Sequence, residues 1–199
     1  MTVNLVWAAP QPQLLLMLSA LIFFHASEVC LVLMYGPQEF SYQSLLLSKQ
    51  YIAALAAGLI EFGLGWMVIP HIKRDVAAVT VPLGMLMIFT GEALRKLAWI
   101  TARRAFTHLI REERQKDHAL VTHGVYSMCR HPGYLGWSLW AVGTQVMLGN
   151  PVCVILYSVV SWRFFQDRIA YEECMLRRMF GQHYAAYALK VPSGLPWIK

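Results

Sequence analysis

Three apolar runs of twenty or more residues constrain this chain more than any motif does: about Gln13 to Tyr35, Lys49 to Ile72 and Val76 to Thr101. A helix rises about 1.5 Å per residue, so about twenty apolar residues match the hydrocarbon thickness of a bilayer. Backbone polar groups inside lipid must be satisfied within their own segment, which makes such runs helices. Two further apolar runs, Tyr134 to Leu148 and Val152 to Phe165, flank Gly149-Asn150-Pro151. That tripeptide punctuates a helix, and the pair reads as a tight helical hairpin. Composition agrees, since 57% of the 199 residues are hydrophobic and only 14% charged, outside the usual range of soluble domains. The expected fold class is all-α: a polytopic integral membrane protein with about five transmembrane helices, including the C-terminal hairpin.

The polar residues within these runs set the questions a structure must answer. The first run has no basic flank and no small-residue cleavage site, so it reads as a retained span, closed by Gly36-Pro37. Glu28 near its end either hydrogen-bonds a neighbouring helix or marks a functional site. The second run carries Ala53, Ala54, Ala56, Ala57, Gly58, Gly63 and Gly65, which allow close packing. Glu61 lies deep within it and needs a partner or water, and Pro70 with the charged His71 to Asp75 is expected to end it. The third run holds Glu92 within helical reach of Arg95 and Lys96, either as a buried network or as a snorkelling end. Ala102 to His118 is too charged to cross a bilayer and is placed in water.

From Asp167 to Leu189 the pattern is amphipathic, with Met175, Leu176, Met179, Phe180, Tyr184 and Tyr187 on one side. It reads as a cytosolic or interfacial helix, interrupted near Gly181 and ended by Pro192. Five spans with a cytosolic C-terminus put the N-terminus on the lumenal side. The positive-inside rule agrees for Arg103 to Lys116, whereas Lys73 and Arg74 fall on the wrong side. The net charge of +6 is concentrated from Arg95 onward, which suits anionic lipid headgroups, and no nucleic-acid motif accompanies it. Cys30, Cys129, Cys153 and Cys174 form no C-x-x-C pair, so neither a disulfide framework nor a thiolate metal site is expected.

The stretch Leu120 to Gly136, LVTHGVYSMCRHPGYLG, crowds polar, cationic, aromatic and glycine residues between membrane segments. Arg130, His131 and Tyr134 stand beside Pro132, Gly133 and Gly136, where backbone can approach a ligand closely. A helix begins there, and its first amides can face an anionic group. The stretch is therefore either a ligand site or a headgroup anchor. Four-residue spacing also puts Arg168 and Glu172 on one helix face. They either form a mutual salt bridge or divide a carboxylate and a hydroxyl- or ammonium-bearing ligand between them. His108, His118, His123 and His131 match no metal-ligand spacing, and no nucleophile motif is present.

At this point the sequence resembles a known family. The segments FTHLI (Phe106 to Ile110), LVTHGVYSMCRHPGYLGW (Leu120 to Trp137), GTQVMLGNP (Gly143 to Pro151), WRFFQDR (Trp162 to Arg168), YEE (Tyr171 to Glu173), FGQHYAAY (Phe180 to Tyr187) and VPSGLPWIK (Val191 to Lys199) are similar, in collinear order, to the protein-S-isoprenylcysteine O-methyltransferases. The likeness covers roughly Phe106 to Lys199, and the short N-terminal half resembles the compact plant members. It implies one membrane domain over 1–199, with N-terminal spans in 1–104 and the cofactor- and substrate-binding part in 105–199. It implies S-adenosylmethionine as cofactor, S-adenosylhomocysteine as product and no metal. The cofactor would be held by His118, Ala119, Leu120, Val121, Tyr126, His131, Pro132, Gly133, Tyr134 and Glu172 in a cytosolic segment. Arg111 stands where relatives have a cofactor-contacting glutamine and joins that set. Arg168 would contact the substrate carboxylate as the catalytic residue.

The activity so implied is methylation of the C-terminal α-carboxylate of a prenylated cysteine in processed CaaX proteins, small GTPases among them. The transfer would be direct and in line, at the cytosolic face of the endoplasmic reticulum membrane, with membrane lipids as surroundings and no nucleic acid. That carboxylate is ionised at neutral pH and needs no general base. Two other readings share parts of the pattern: a NADPH-dependent membrane sterol reductase-like enzyme, and a non-catalytic scaffold that binds prenylated proteins.

Overall fold

The computed structural model describes residues 9–113 and 119–198. Among them the chain is all-helical, with no strand. The six α-helices are α1 (Pro10–Tyr35), α2 (Lys49–Val68), α3 (Pro70–Ala102), α4 (Pro132–Met147), α5 (Pro151–Phe180) and α6 (Gln182–Lys190). Pro10–Tyr35, Lys49–Val68 and Pro70–Ala105 are long and apolar enough to cross a membrane. Helix α4 has 16 residues, about 24 Å of rise, and α5 begins with the apolar run of the hairpin's second arm.

Two boundaries differ from the sequence expectation. Helix α2 ends at Val68, and Pro70 to Asp75 does not form a polar loop: it is the first turn and a half of α3. Proline is at ease there because the first helical amides have no intrahelical partner. The expected separate tail helix is continuous with the hairpin, because α5 runs unbroken from Pro151 to Phe180. It stops at Gly181, where φ is +53°, a conformation that side-chain-bearing residues rarely adopt.

The structure divides into two compact units. One contains the chain as far as Thr90 together with Leu139–Val159; the other contains Gly91–Ser138 and Val160–Lys199. In the first unit, the ionisable residues of the spans answer the needs of helix ends. A helix leaves its last carbonyls and first amides without partners. Lys73 Nζ donates to Leu148 O (3.1 Å), Gly149 O (2.8 Å) and Asn150 Oδ1 (3.1 Å), closing the C-terminal end of α4. Glu61 accepts from the amides of Val152 (2.9 Å) and Cys153 (2.7 Å), capping the start of α5. Asn150, fully buried, donates to Gly58 O and Gln145 Oε1. Lys73 is thus buried inside the fold, whereas its neighbour Arg74 is exposed.

The same unit packs backbone on backbone. A Cβ added at Gly84 would lie 2.3 Å from Met147 N, so α3 and α4 approach as closely as a small residue permits. Phe24 of α1 stacks on Trp140 with centroids 4.2 Å apart. His25 joins Leu45 O and the Tyr51 hydroxyl, each at 2.9 Å. The carbonyl can only accept, so Nδ1 carries the hydrogen and Nε2 accepts from tyrosine.

In the second unit, the start of α4 meets the end of α3. A Cβ at Gly136 would lie 2.6 Å from Gly91 O and 2.8 Å from Arg95 N. Arg95 donates to Gly133 O at 3.1 Å. The tail Val191 to Ile198 folds back as well: the amides of Arg130 and His131 donate to Pro192 O (2.9 Å) and Ser193 O (3.1 Å). Leu195 joins Phe165 and Ile169 in an apolar core, and Trp162 Nε1 donates to Pro196 O.

Candidate active site

The site is built where α4 begins. Arg130 is one of the most committed side chains in the second unit. Its Nε and Nη2 donate to Glu173 Oε1 at 2.8 and 2.6 Å, and Nη1 donates to the carbonyls of Ala188 and Val191. Both partners of the ion pair are buried. His131 Nε2 lies 3.1 Å from the same carboxylate oxygen. Burial by itself raises the Glu173 pKa, but hydrogen bonds from His131 and Arg130 and the Arg130 charge outweigh it and hold it at about 2. An ionised carboxylate only accepts, so Nε2 carries the hydrogen. Arg130 is buried rather than presented to headgroups, so the headgroup-anchor reading of this residue gives way here. This arginine is the internal clamp joining α4, α5 and the C-terminal tail.

Next to the clamp, three polar groups form a chain. Tyr134 donates its hydroxyl to Glu172 Oε2 at 2.6 Å and accepts from Arg168 Nε at 2.9 Å. Arg168 and Glu172 therefore form no direct salt bridge among the described residues; a tyrosine hydroxyl separates them. Arg168 Nη2 also donates to His108 O. These two bonds occupy the Nε–Nη2 edge of the guanidinium, while Nη1 has no hydrogen bond among the described residues. The Nη1–Nη2 end, which has the fork geometry of carboxylate recognition, is left open. The Tyr134 ring stacks with those of His131 (5.5 Å) and Phe165 (4.7 Å), which restrains the direction of its hydroxyl.

Beside this chain lies an open cavity with about 900 Å³ of empty space, the solvent at its mouth included. Ten of the expected cofactor residues line it: Arg111, Ala119, Leu120, Val121, Tyr126, His131, Pro132, Gly133, Tyr134 and Glu172. His118 lies outside the described residues. Arg168 is not on the wall and reaches it through Tyr134. Burial pushes the Tyr187 hydroxyl up to about 12 and raises that of Tyr126 also, so both phenols stay protonated, with Tyr187 donating to Tyr126 O at 2.6 Å.

Several wall residues were not expected from the sequence: Phe106, Leu176, Met179, Phe180, Tyr184 and Tyr187. For all but Phe106 the signal was the apolar stripe of the tail helix, which periodicity alone assigns to a membrane surface as readily as to a cavity. In the structure that stripe is cavity wall. Phe106 stacks on Trp99 at 4.2 Å, and a Cβ at Gly133 would lie 2.9 Å from the Phe106 ring, so glycine is what leaves the ring room there.

Comparison with known proteins supplies the family. The family profile of isoprenylcysteine carboxyl methyltransferases matches residues 83–178. A probable protein-S-isoprenylcysteine O-methyltransferase of Oryza sativa subsp. indica is 45% identical over 192 residues, covering 96% of this chain and 100% of the relative. Protein-S-isoprenylcysteine O-methyltransferase B of Arabidopsis thaliana is 46% identical over 187 residues, covering 94% of each. The likeness thus extends well beyond the C-terminal half that carries the recognisable motifs. The solved structure of the eukaryotic intramembrane Ras methyltransferase ICMT superposes with a TM-score of 0.90 at 38% identity, over 98% of this chain and 70% of that one. With near-complete alignment to its plant relatives and the same helical fold, the chain belongs to the isoprenylcysteine carboxyl methyltransferase family.

Proposed function

We propose that the protein methylates the C-terminal α-carboxylate of prenylated cysteine in processed CaaX proteins, with S-adenosylmethionine as donor. The observation that carries this reading is the Tyr134 hydroxyl, which joins Glu172 on the cavity wall to Arg168. One oxygen thereby sets the spacing between a donor-binding carboxylate and an acceptor-binding guanidinium. The cavity suits the donor chemically: Glu172 offers a carboxylate to hydroxyls or an ammonium, and Phe106, Tyr126 and Phe180 add aromatic surface to its wall for a base. When bound, the donor supplies a sulfonium-linked methyl group.

The work of the chain's own residues is to hold and align. The acceptor carboxylate is already ionised at neutral pH, so no side chain has to remove a proton. Arg168, anchored on one edge by Tyr134 and His108 O, presents its other end to that carboxylate and keeps the attacking oxygen in line. The cavity wall excludes water while opposite charges neutralise. We read the whole chain as one methyltransferase domain with five spans, α4 and the first half of α5 being the last two. The active site and C-terminus face the cytosol at the endoplasmic reticulum, and the substrates include small GTPases.

The test is methyl transfer from radiolabelled S-adenosylmethionine to N-acetyl-farnesylcysteine by purified protein. Arg168→Ala is expected to abolish transfer, and Arg168→Lys, which lacks the planar fork, to restore little of it. Absence of transfer by the parent protein, or full activity in Arg168→Ala, would sink the reading.

A further inference from the structure

The strap from Phe106 to Glu112 forms one wall of the cavity through Phe106, Thr107, Leu109, Ile110 and Arg111. Its near end is held by the stacking of Phe106 on Trp99 and its middle by Arg168 through His108 O. Its far end reaches α5 through the Tyr171 hydroxyl, which donates to Glu112 Oε1 at 2.6 Å. Tyr171 follows Arg168 by three residues, so both sit on one face of α5 beneath the strap. Tyr171 is exposed and does not line the cavity. A surface hydrogen bond of this kind contributes little to folding, yet it ties the strap to α5 one residue beyond Arg111, which itself donates to Arg104 O at 3.2 Å.

We propose that Tyr171 and Glu112 are positioning residues for the methyl donor, latching the strap against α5 as a wall of the donor cavity. This rests on the methyltransferase reading above. The middle tie depends on Arg168, the same side chain that receives the acceptor carboxylate. Nη2 of Arg168, which donates to His108 O, also belongs to the end that receives the carboxylate, so acceptor binding draws on the same nitrogen and the Tyr171–Glu112 bond then carries more of the strap. The latch should therefore matter most when both substrates are bound.

The experiment compares Tyr171→Phe, Glu112→Ala and Glu112→Gln in full-length protein by steady-state kinetics, together with S-adenosylhomocysteine binding and tryptic cleavage at Arg111. The first two should raise the donor KM about two- to tenfold, most strongly at saturating prenylcysteine. The kcat at saturating donor, the prenylcysteine KM and the melting temperature should stay within error. Glu112→Gln keeps an accepting oxygen and should stay near the parent. S-adenosylhomocysteine should protect Arg111 from trypsin in the parent and less so in Tyr171→Phe. The latch is overturned if the donor KM and trypsin protection are unchanged in Tyr171→Phe, if kcat falls instead, or if Glu112→Gln behaves like Glu112→Ala. A parent protein that transfers no methyl group overturns the methyltransferase reading instead, a result distinct from an active parent with a silent Tyr171→Phe.

Discussion

Replacing Glu173 by glutamine removes one charge and almost no volume, which isolates what the buried clamp contributes. The carboxylate receives Arg130 at 2.6 and 2.8 Å and His131 at 3.1 Å, with the Arg130 and Glu173 side chains only 5% and 6% exposed. Breaking a buried pair leaves an uncompensated charge and costs about 3–5 kcal/mol. Arg130 keeps two backbone carbonyl acceptors, at Ala188 and Val191, so the loss should sit near the lower bound, about 3 kcal/mol. For a chain of about 200 residues that is a drop of about 6–12 °C in melting temperature. Differential scanning fluorimetry in detergent measures it, and faster proteolysis after Val191 would report release of the tail. A second variant, Arg130→Met with Glu173→Leu, removes both charges and should recover much of the stability. Acid unfolding adds a sign. The folded-state pKa of about 2 lies below the ordinary value of 4.5, so the stabilisation is fully present above pH 4.5 and is lost as pH falls toward 2. Glu173→Gln should lack that slope. A melting shift under about 2 °C, or a double variant no better than the single one, would refute the account of an internally neutralised clamp.

Two other substitutions test the site and its scaffold. Tyr134→Phe keeps both ring stacks but removes the hydroxyl between Arg168 and Glu172; each charged-group bond is worth about 1.5–3 kcal/mol, so kcat/KM for prenylcysteine should fall at least about tenfold, and a value within twofold of the parent would count against the relay. Gly136→Ala drives a Cβ to 2.6 Å from Gly91 O, whereas at Gly63 a Cβ meets nothing within 4 Å. The first should cost about 1–3 kcal/mol by overpacking and the second should be neutral or better, as paired melting curves would show.

Much of this protein was legible in its residues alone. The apolar runs specified helices, because lipid leaves the backbone no other way to satisfy its polar groups. Gly149-Asn150-Pro151 marked the hairpin, and the ordered motifs from Phe106 onward indicated the family and, through it, ten of the residues on the cavity wall. These are local or collinear signals, and a chain carries them before it folds. Partnerships across long sequence separations were not legible. Arg130 is 43 residues from Glu173, and Lys73 is 75 residues from Leu148. Nothing in the spacing of either pair reveals that one forms a clamp and the other closes a helix end. The apolar stripe from Leu176 to Tyr187 had a legible period but no legible destination, since a membrane surface and a cavity both accept an apolar face. Arg168 shows the division most clearly. Its sequence position placed it on one face with Glu172, but only the packing of α4, α5 and the strap decided that Tyr134 and His108 O would take one edge of the guanidinium and leave its other end open. A sequence states which groups a helix carries; which of them meet is set by the register at which whole helices pack.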